Sequence, residues 1–391
     1  FEPNITFTIG IITSIYPSKL NAQQGIYVHE QCKAIQEQGH KVIVLNISPY
    51  NWRNWASISC DKTYEMENDG IISYSLHPRG LLYTRLPRYS FFNTRRKLKV
   101  LFDTAVKAHG KPDIFHSHFS FTAGYLTSML SQETKIPFIV TEHYSYFLRK
   151  SINYYIKKTL NETIEKSSAF ICVSDSLRKS IKMHTNTLKE LVVIPNLIDN
   201  IFTYNKLKNN DKYIFFSAGN LKYNKRFDML INAFCNAFDK YDNAHLNIAG
   251  TGEEHDRLYN LIVSRGREHQ IKLLGNLNRK EILKRYIECN CFVLPSRYET
   301  FGIVYREAMA VGRPIISTKN GGIEEGWEDN FGMLIPVDDI TSLEDALINM
   351  YKHSDKYDLE YISKKCIEKY SSKHIGANIT NVLIDSINSE T

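Results

Sequence analysis

Apolar runs of strand length alternate with amphipathic segments of helix length from one end of the chain to the other. In the first half, Thr6–Ile12, Lys41–Asn46, Asp113–His116, Phe138–Thr141, Ala169–Val173 and Leu191–Ile194 read as strands. Between several of them, apolar positions recur every three or four residues, which predicts helices over Val28–Gln38, Arg95–Ala108, Thr122–Leu130 and Tyr154–Lys166. The second half repeats the scheme. Its strands are Tyr213–Ala218, His245–Ala249, Lys272–Leu274, Cys291–Leu294, Pro314–Ser317 and Met333–Ile335. Its helices are Phe227–Phe238, Asp256–Arg265, Lys280–Tyr286, Tyr305–Val311 and Leu343–Tyr351, and a tail from about Lys356 to Asn388 also reads as helical. Strands buried on both faces and separated by helices specify parallel sheets covered on both sides. The pattern predicts an α/β protein of two doubly wound Rossmann-like domains, 1–203 and 204–375, divided at the polar segment Tyr204–Lys212. Residues 376–391 are expected to form a C-terminal helix packing back on the first domain. Ligands in such sheets bind beyond the carboxyl ends of the strands, so two such domains predict a central cleft.

One block stands out against this regular background. After the apolar run Cys291–Leu294, the chain reads Pro295-Ser296-Arg297-Tyr298-Glu299-Thr300-Phe301-Gly302-Ile303-Val304-Tyr305-Arg306-Glu307-Ala308-Met309-Ala310. Glu299 falls in the loop after a strand, Glu307 about a turn into the next helix, and Gly302 between them, where backbone can approach a ligand. A strand, a tight loop and a helix N-terminus form an anion-binding corner. A carboxylate inside the helix can then reach whatever the anion is attached to, such as the hydroxyls of a ribose. The block therefore points to a nucleotide-sugar site.

Composition narrows the setting. The chain has 391 residues, 43% hydrophobic and 23% charged, as in ordinary globular proteins. No apolar run approaches the roughly 20 residues of a membrane-spanning helix. The stretch Ile5–Ile15 lacks a basic leader and a cleavage site and reads as a first strand rather than a signal peptide. The start at Phe1, without Met, reads as a trimmed beginning. The seven cysteines are scattered, which suits buried free thiols in a reducing cytosol. Net charge is +7, and residues 1–203 hold all of the excess, with 24 Lys/Arg against 16 Asp/Glu. Within them Arg79–Lys99 carries seven basic residues and no acid, interleaved with Leu81, Leu82, Tyr83, Tyr89, Phe91 and Phe92. Basic residues mixed with aromatics suit an anionic membrane surface; the plainer reading is a solvated helix start with a few core aromatics.

Taken together, ordered motifs across both halves resemble the retaining GT-B glycosyltransferases of the family-4 type. Gly25-Ile26-Tyr27-Val28 through Gly39-His40-Lys41-Val42 resembles the family's N-terminal glycine loop and the strand entry that follows. Pro112-Asp113-Ile114-Phe115-His116-Ser117-His118 resembles its histidine-bearing strand end, and Ile194–Asp199 its interdomain segment. Ser217–Phe234 resembles the start of its nucleotide domain. The Glu299–Glu307 block, with Gly321-Gly322 and Glu325, completes the pattern.

The resemblance implies a GT-B fold and an enzyme that moves a sugar from a UDP- or GDP-type donor to an acceptor hydroxyl with retention. It implies that Glu299 contacts donor-sugar hydroxyls, that Glu307 holds the ribose, and that Phe301, Gly302 and Ile303 offer backbone N–H groups. Lys225 stands at the family's pyrophosphate lysine, while Asn220 replaces the Arg usually paired with it, which leaves two outcomes open: Lys222 or Arg226 takes over, or phosphate binding is weaker. His118 matches a histidine that contacts the donor sugar. His116 is expected to point into the sheet or to support the loop, and Glu142 and His143 are acceptor-side candidates. Gly25 brings backbone N–H groups to the phosphate. Gly252, in Gly250-Thr251-Gly252, lies near the nucleotide, with Leu277 in a base-contacting turn. The sequence contains no Asp-x-Asp, so fixed cations and backbone dipoles, rather than a metal, are expected to stabilise the departing phosphate. No cofactor and no nucleic acid are implied. A glycan or lipid-linked acceptor in surface polysaccharide synthesis fits the basic-aromatic stretch, with the protein cytoplasmic and peripheral on the inner face of the plasma membrane. Two alternatives are a nucleotide-sugar 2-epimerase-like isomerase and a non-catalytic membrane- or nucleic-acid-binding protein.

Overall fold

A computed structural model describes residues 5–17, 24–48, 63–77, 87–207 and 211–389. The chain forms two compact units, one of Phe1–Leu197 with Ser372–Thr391, the other of Ile198–Ser371. The break falls a few residues upstream of Tyr204, because Ile198–Asn205 is tied to the second unit. Ile198 N–H donates to Tyr370 O at 2.9 Å and Asn205 N–H to Val311 O at 3.2 Å.

The first unit holds a sheet in the order β3-β4-β2-β1-β5-β6-β7-β8. Its strands are β1 (Thr8–Thr13), β2 (Lys41–Ile47), β3 (Thr63–Asn68), β4 (Ile71–Leu76), β5 (Ile114–His118), β6 (Phe138–Glu142), β7 (Ala169–Cys172) and β8 (Val192–Val193). All pairings are parallel except that of β3 with β4. Helices α1 (Ile26–Glu37), α2 (Pro87–His109), α3 (Tyr125–Thr134), α4 (Tyr154–Lys166) and α5 (Asp175–His184) connect them. The β3–β4 hairpin was not anticipated from the sequence. Glu65 and Glu67 dilute the apolar signal of an edge strand, where charge guards against further pairing. The polar helix α5 was also missed; the side chain of Ser174 caps it by accepting from Leu177 N–H.

The second unit holds an all-parallel sheet in the order β11-β10-β9-β12-β13-β14. Its strands are β9 (Tyr213–Ala218), β10 (Ala244–Ala249), β11 (Ile271–Leu273), β12 (Cys291–Leu294), β13 (Ile315–Thr318) and β14 (Gly332–Ile335). Helices α6 (Phe227–Ala237), α7 (His255–Ser264), α8 (Arg279–Glu288), α9 (Ile303–Ala310), α10 (Ile340–His353) and α11 (Leu359–Tyr370) cover it. Its core is aromatic: Phe215, Phe234, Phe238, Tyr286 and Phe292 are buried, each such ring contributing about 1.5–3 kcal/mol by leaving water. Helix α8 starts at a reciprocal cap, in which Asn278 accepts from Glu281 N–H and Glu281 accepts from Asn278 N–H.

The predicted helical tail breaks at Ser371. Helix α12 (Ser372–Asn388) belongs to the first unit, where Ile375, Ile379 and Leu383 join Val28, Ile35 and Ile114 in one buried cluster.

Each sheet reverses its direction of growth once. In the first unit the chain passes from β1 outward to β2, then returns to place β5 on the other side of β1. In the second it passes from β9 to β10 and β11, then returns to place β12 beside β9. Crevices at such reversals, beyond the carboxyl ends of the strands, are where α/β sheets bind ligands.

Candidate active site

In the second unit, the loops leaving β9 and β12 meet at that reversal. The loop after β9 ends in a short turn, Tyr223–Lys225, and Arg297 N–H from the loop after β12 donates to Asn224 O at 2.8 Å. This contact places Lys225 Nζ 2.5 Å from Glu299 Oε1. Glu299 also accepts from Ser296 Oγ at 2.7 Å. Both charged side chains are mostly buried, at 18% and 13% exposed, so their pairing is less screened than a surface one. The Lys225–Glu299 contact brings together two residues that the sequence pattern had singled out separately.

Gly302 follows at the N-terminus of α9 with φ 74° and ψ 57°, in the left-handed region. A Cβ there would overlap the Tyr305 ring, so both conformation and space require glycine. No side chain caps α9 and its first turn holds no acid, which leaves its N-terminal dipole unopposed from within the helix. Gly302→Ala is expected to cost about 1–3 kcal/mol of stability, measurable as a lowered urea midpoint; an unchanged midpoint would contradict this account of the turn.

Glu307 lies one turn into α9 and is 4% exposed. Its Oε1 accepts from Arg279 Nη1 at 2.6 Å and its Oε2 from Tyr286 Oη at 3.1 Å. Arg279 also donates to Asp199 Oδ2, from Nη2 at 3.1 Å, and lies 4.5 Å from the Phe202 ring centroid. Burial acts to lower the pKa of this guanidinium, but Glu307 and Asp199 outweigh it and hold the value above the ordinary one. Asp199, Arg279 and Tyr286 were missed as site residues. The signals available in sequence were an Arg following the cap residue of α8 and, for Asp199, its place at the end of the Ile194–Asp199 motif.

The other second-unit candidates gather around the same corner. Gly252 packs against Leu221, whose N–H donates to Thr251 O at 2.9 Å. Gly250 N–H donates to Gly275 O at 2.7 Å, which brings the turn carrying Leu277 alongside. Phe301 is 4% exposed and packs edge-on against Tyr370, so its ring is committed to the core. Asn220 and Lys222 are exposed. Arg226 does not take over from the missing Arg: it pairs with Asp228 and Asp338.

In the first unit, β1 and β5 end side by side, with Thr13 opposite His118. Gly25, at φ 72°, starts α1 as Gly302 starts α9, and a Cβ on it would lie 2.5 Å from Ile15 O. His118 is fully buried rather than facing solvent. Its Nδ1 is 3.0 Å from His143 Nε2, the two rings stack, and its Nε2 has no partner. His116 shares this face instead of pointing away, its ring centroid 4.4 Å from that of His118. Residues two apart on a strand lie on the same side, and the expectation for His116 overlooked this. Burial keeps all three imidazoles neutral: the pKa values of His116 and His143 are pushed down to about 3, and that of His118 falls well below its usual value.

Glu142 turns inward. Its carboxylate accepts from the N–H groups of Ser120, His143 and Tyr144 at 2.7–2.9 Å and from Ser120 Oγ. Burial pushes its pKa up, against the pull of these bonds. It anchors a strained turn in which Phe119 and Thr122 both have φ 71°, so its oxygens are committed to backbone rather than to an acceptor. Of the stretch Arg79–Lys99, residues 79–86 lie outside the described residues. In the remainder Phe91 is buried, Arg95 pairs with Glu133 and Lys99 with Asp103.

Two families match consecutive parts of the chain: Glycosyltransferase Family 4 over residues 24–200 and Glycosyl transferases group 1 over 201–366. The chain belongs to the group 1 glycosyltransferases. An uncharacterized glycosyltransferase of Methanocaldococcus jannaschii is 26% identical over 398 residues, covering 96% of this chain and 97% of that one. Among solved structures, sucrose-phosphate synthase of Thermosynechococcus elongatus superposes with a TM-score of 0.79 at 17% identity, over 98% of this chain and 100% of that one. HepE of Anabaena, solved with UDP-glucose, gives 0.74 at 15% identity, over 97% and 100%. The fold of this glycosyltransferase is therefore GT-B, and the protein is a transferase. Neither the isomerase nor the non-catalytic alternative gains support. Among the described residues no helix is long and apolar enough to cross a membrane, and no group of three His, Cys, Asp or Glu is placed to hold a metal.

Proposed function

We propose that this glycosyltransferase takes a sugar from a nucleoside diphosphate donor bound to its second unit and transfers it to an acceptor hydroxyl with retention of configuration. The observation that carries this reading is the Lys225–Glu299 pair beside the uncapped N-terminus of α9. A diphosphate arriving there competes for the Lys225 ammonium, and each bond it takes from Glu299 frees a carboxylate oxygen for sugar hydroxyls. Glu307, held ready by Arg279 and Tyr286, receives the ribose. As the bond to the sugar breaks, charge grows on the leaving phosphate, and Lys225 with the N–H groups of Ile303 and Val304 stabilises it in place. The same phosphate takes the acceptor proton on the face it leaves, which gives retention without an enzymic nucleophile.

The UDP-glucose bound to HepE favours a uridine donor. A thermal-shift series with UDP-, GDP- and ADP-sugars tests this. One class is expected to stabilise the protein by about 2.7 kcal/mol at a hundredfold excess over its Kd. No shift with any of them would remove the donor assignment.

A lipid-linked acceptor at an anionic membrane surface is the finer reading. Its support is α2, where Phe92, Arg96 and Val100 recur every four residues on one face, with Phe92 59% and Val100 58% exposed. The double variant Phe92→Ser with Arg96→Glu is expected to reduce sedimentation with anionic phospholipid vesicles, at about 1 kcal/mol per charge. Unaltered binding would mark α2 as simply solvated.

A further inference from the structure

Helix α9 presents a second charged residue that the donor corner does not use. Arg306 precedes Glu307, and its side chain is 1% exposed. Its Nη2 donates to the carbonyls of Ile323 and Glu325, both at 3.2 Å, and its Nη1 lies 3.7 Å from Met309 Sδ. The guanidinium is 4.8 Å from the Tyr370 ring centroid and 5.6 Å from that of Phe301. No carboxylate is among these partners, and Nε has no hydrogen-bond partner among the described residues. Aromatic faces offset part of the cost of burying a cation, but an unpaired guanidinium with an orphaned N–H is a strongly unfavourable thing to build.

The same side chain lines a pocket of about 330 Å³, at the small end of ligand sites. Lys365 and Lys369 from α11 line it too, as do Glu328 and Glu368, so cations outnumber carboxylates three to two. One Glu328 oxygen already accepts from Tyr361 Oη at 2.6 Å. Met309, Phe331 and Tyr370 supply the apolar wall. One guanidinium and two ammonium side chains in a single lining suit a compact oxyanion, since each N–H can find a separate oxygen.

We propose that this pocket binds a phosphate group, either free or carried on a small monoester, and that the bound oxyanion supplies the missing acceptor for Arg306 Nε. The proposal does not rest on the donor assignment, because none of the residues that carry it contacts Lys225, Glu299 or Glu307 through its charged group. The test uses the full chain carrying Lys225→Ala, so that phosphate at the donor corner is suppressed. Inorganic phosphate and glycerol phosphate are titrated calorimetrically at constant ionic strength set with NaCl. Saturable binding of either probe is expected, weakened about tenfold or more by adding Lys369→Glu and lost with Arg306→Met. The methionine variant, checked by circular dichroism, is expected to melt no lower than its parent, because an unpaired buried charge has been removed. Tighter binding of glycerol phosphate would assign a phosphate ester, and tighter binding of inorganic phosphate would assign the free ion. Absence of saturable binding, or binding indifferent to Lys369→Glu, would overturn the proposal.

Discussion

Replacing Glu307 by alanine is expected to weaken nucleotide binding by about 10- to 100-fold, the loss of a hydrogen bond to a charged group, and to destabilise the second unit at the same time. Two effects are combined because the carboxylate has two duties. It is the ribose acceptor in the proposed donor complex, and it is half of a buried ion pair with Arg279. Breaking such a pair from one side costs about 3–5 kcal/mol, since the surviving charge is left uncompensated. Asp199 still holds Arg279 on its other edge, which places the expectation at the lower end. The two duties separate in the variant Glu307→Gln, which keeps an acceptor for Tyr286 and Arg279 and should recover much of the stability. Calorimetric titration with UDP, alongside urea melts, reads both quantities. Unchanged UDP affinity in the alanine variant would sink the ribose role while leaving the structural one intact.

Lys225→Ala should be the more damaging change for turnover, lowering kcat by about 10²- to 10³-fold, as removal of one fixed donor from a developing oxyanion does. The geometry supports a large effect because Lys225 is the cation that directly pairs with Glu299 in this corner, and Arg226, one residue on, is committed to Asp228 and Asp338. Asn220 offers no charge in its place. Initial rates with a saturating donor separate kcat from KM. A fall in kcat of less than a few-fold would show that backbone N–H groups at α9 carry the charge alone, and that Lys225 serves mainly to hold Glu299.

What could be read in the sequence was whatever depends on neighbours a few residues apart. The alternation that predicts both sheets is local, and so is the strand–loop–helix block from Cys291 to Ala310 that places Glu299 and Glu307. The Asp199–Arg279–Glu307 cluster was not legible, because its pairing joins residues 80 and 28 positions apart, a match set by folding rather than by period. The environment of His118 was misjudged for a related reason. Its position at a strand end was evident, but not that His143, 25 residues on, stacks on its ring, nor that Tyr27 and Phe119 pack in turn on His143. The hairpin β3–β4 escaped because its charges served the solubility of an edge and masked its strand character. The division of the chain was read a few residues too late, since hydrogen bonds across long separations, not composition, hold Ile198–Asn205 to the second unit.

Helix α12 has a consequence for how the protein comes into being. A ribosome delivers residues 372–388 only after the whole of the second unit has emerged, yet those residues complete the core of the first. The part of the chain made earliest is therefore the part finished last. Until residues 372–388 emerge it carries an uncovered apolar groove along α1, while the part made in the middle can close on itself at once. Nascent chains stalled before residue 372 should thus present that groove to chaperones.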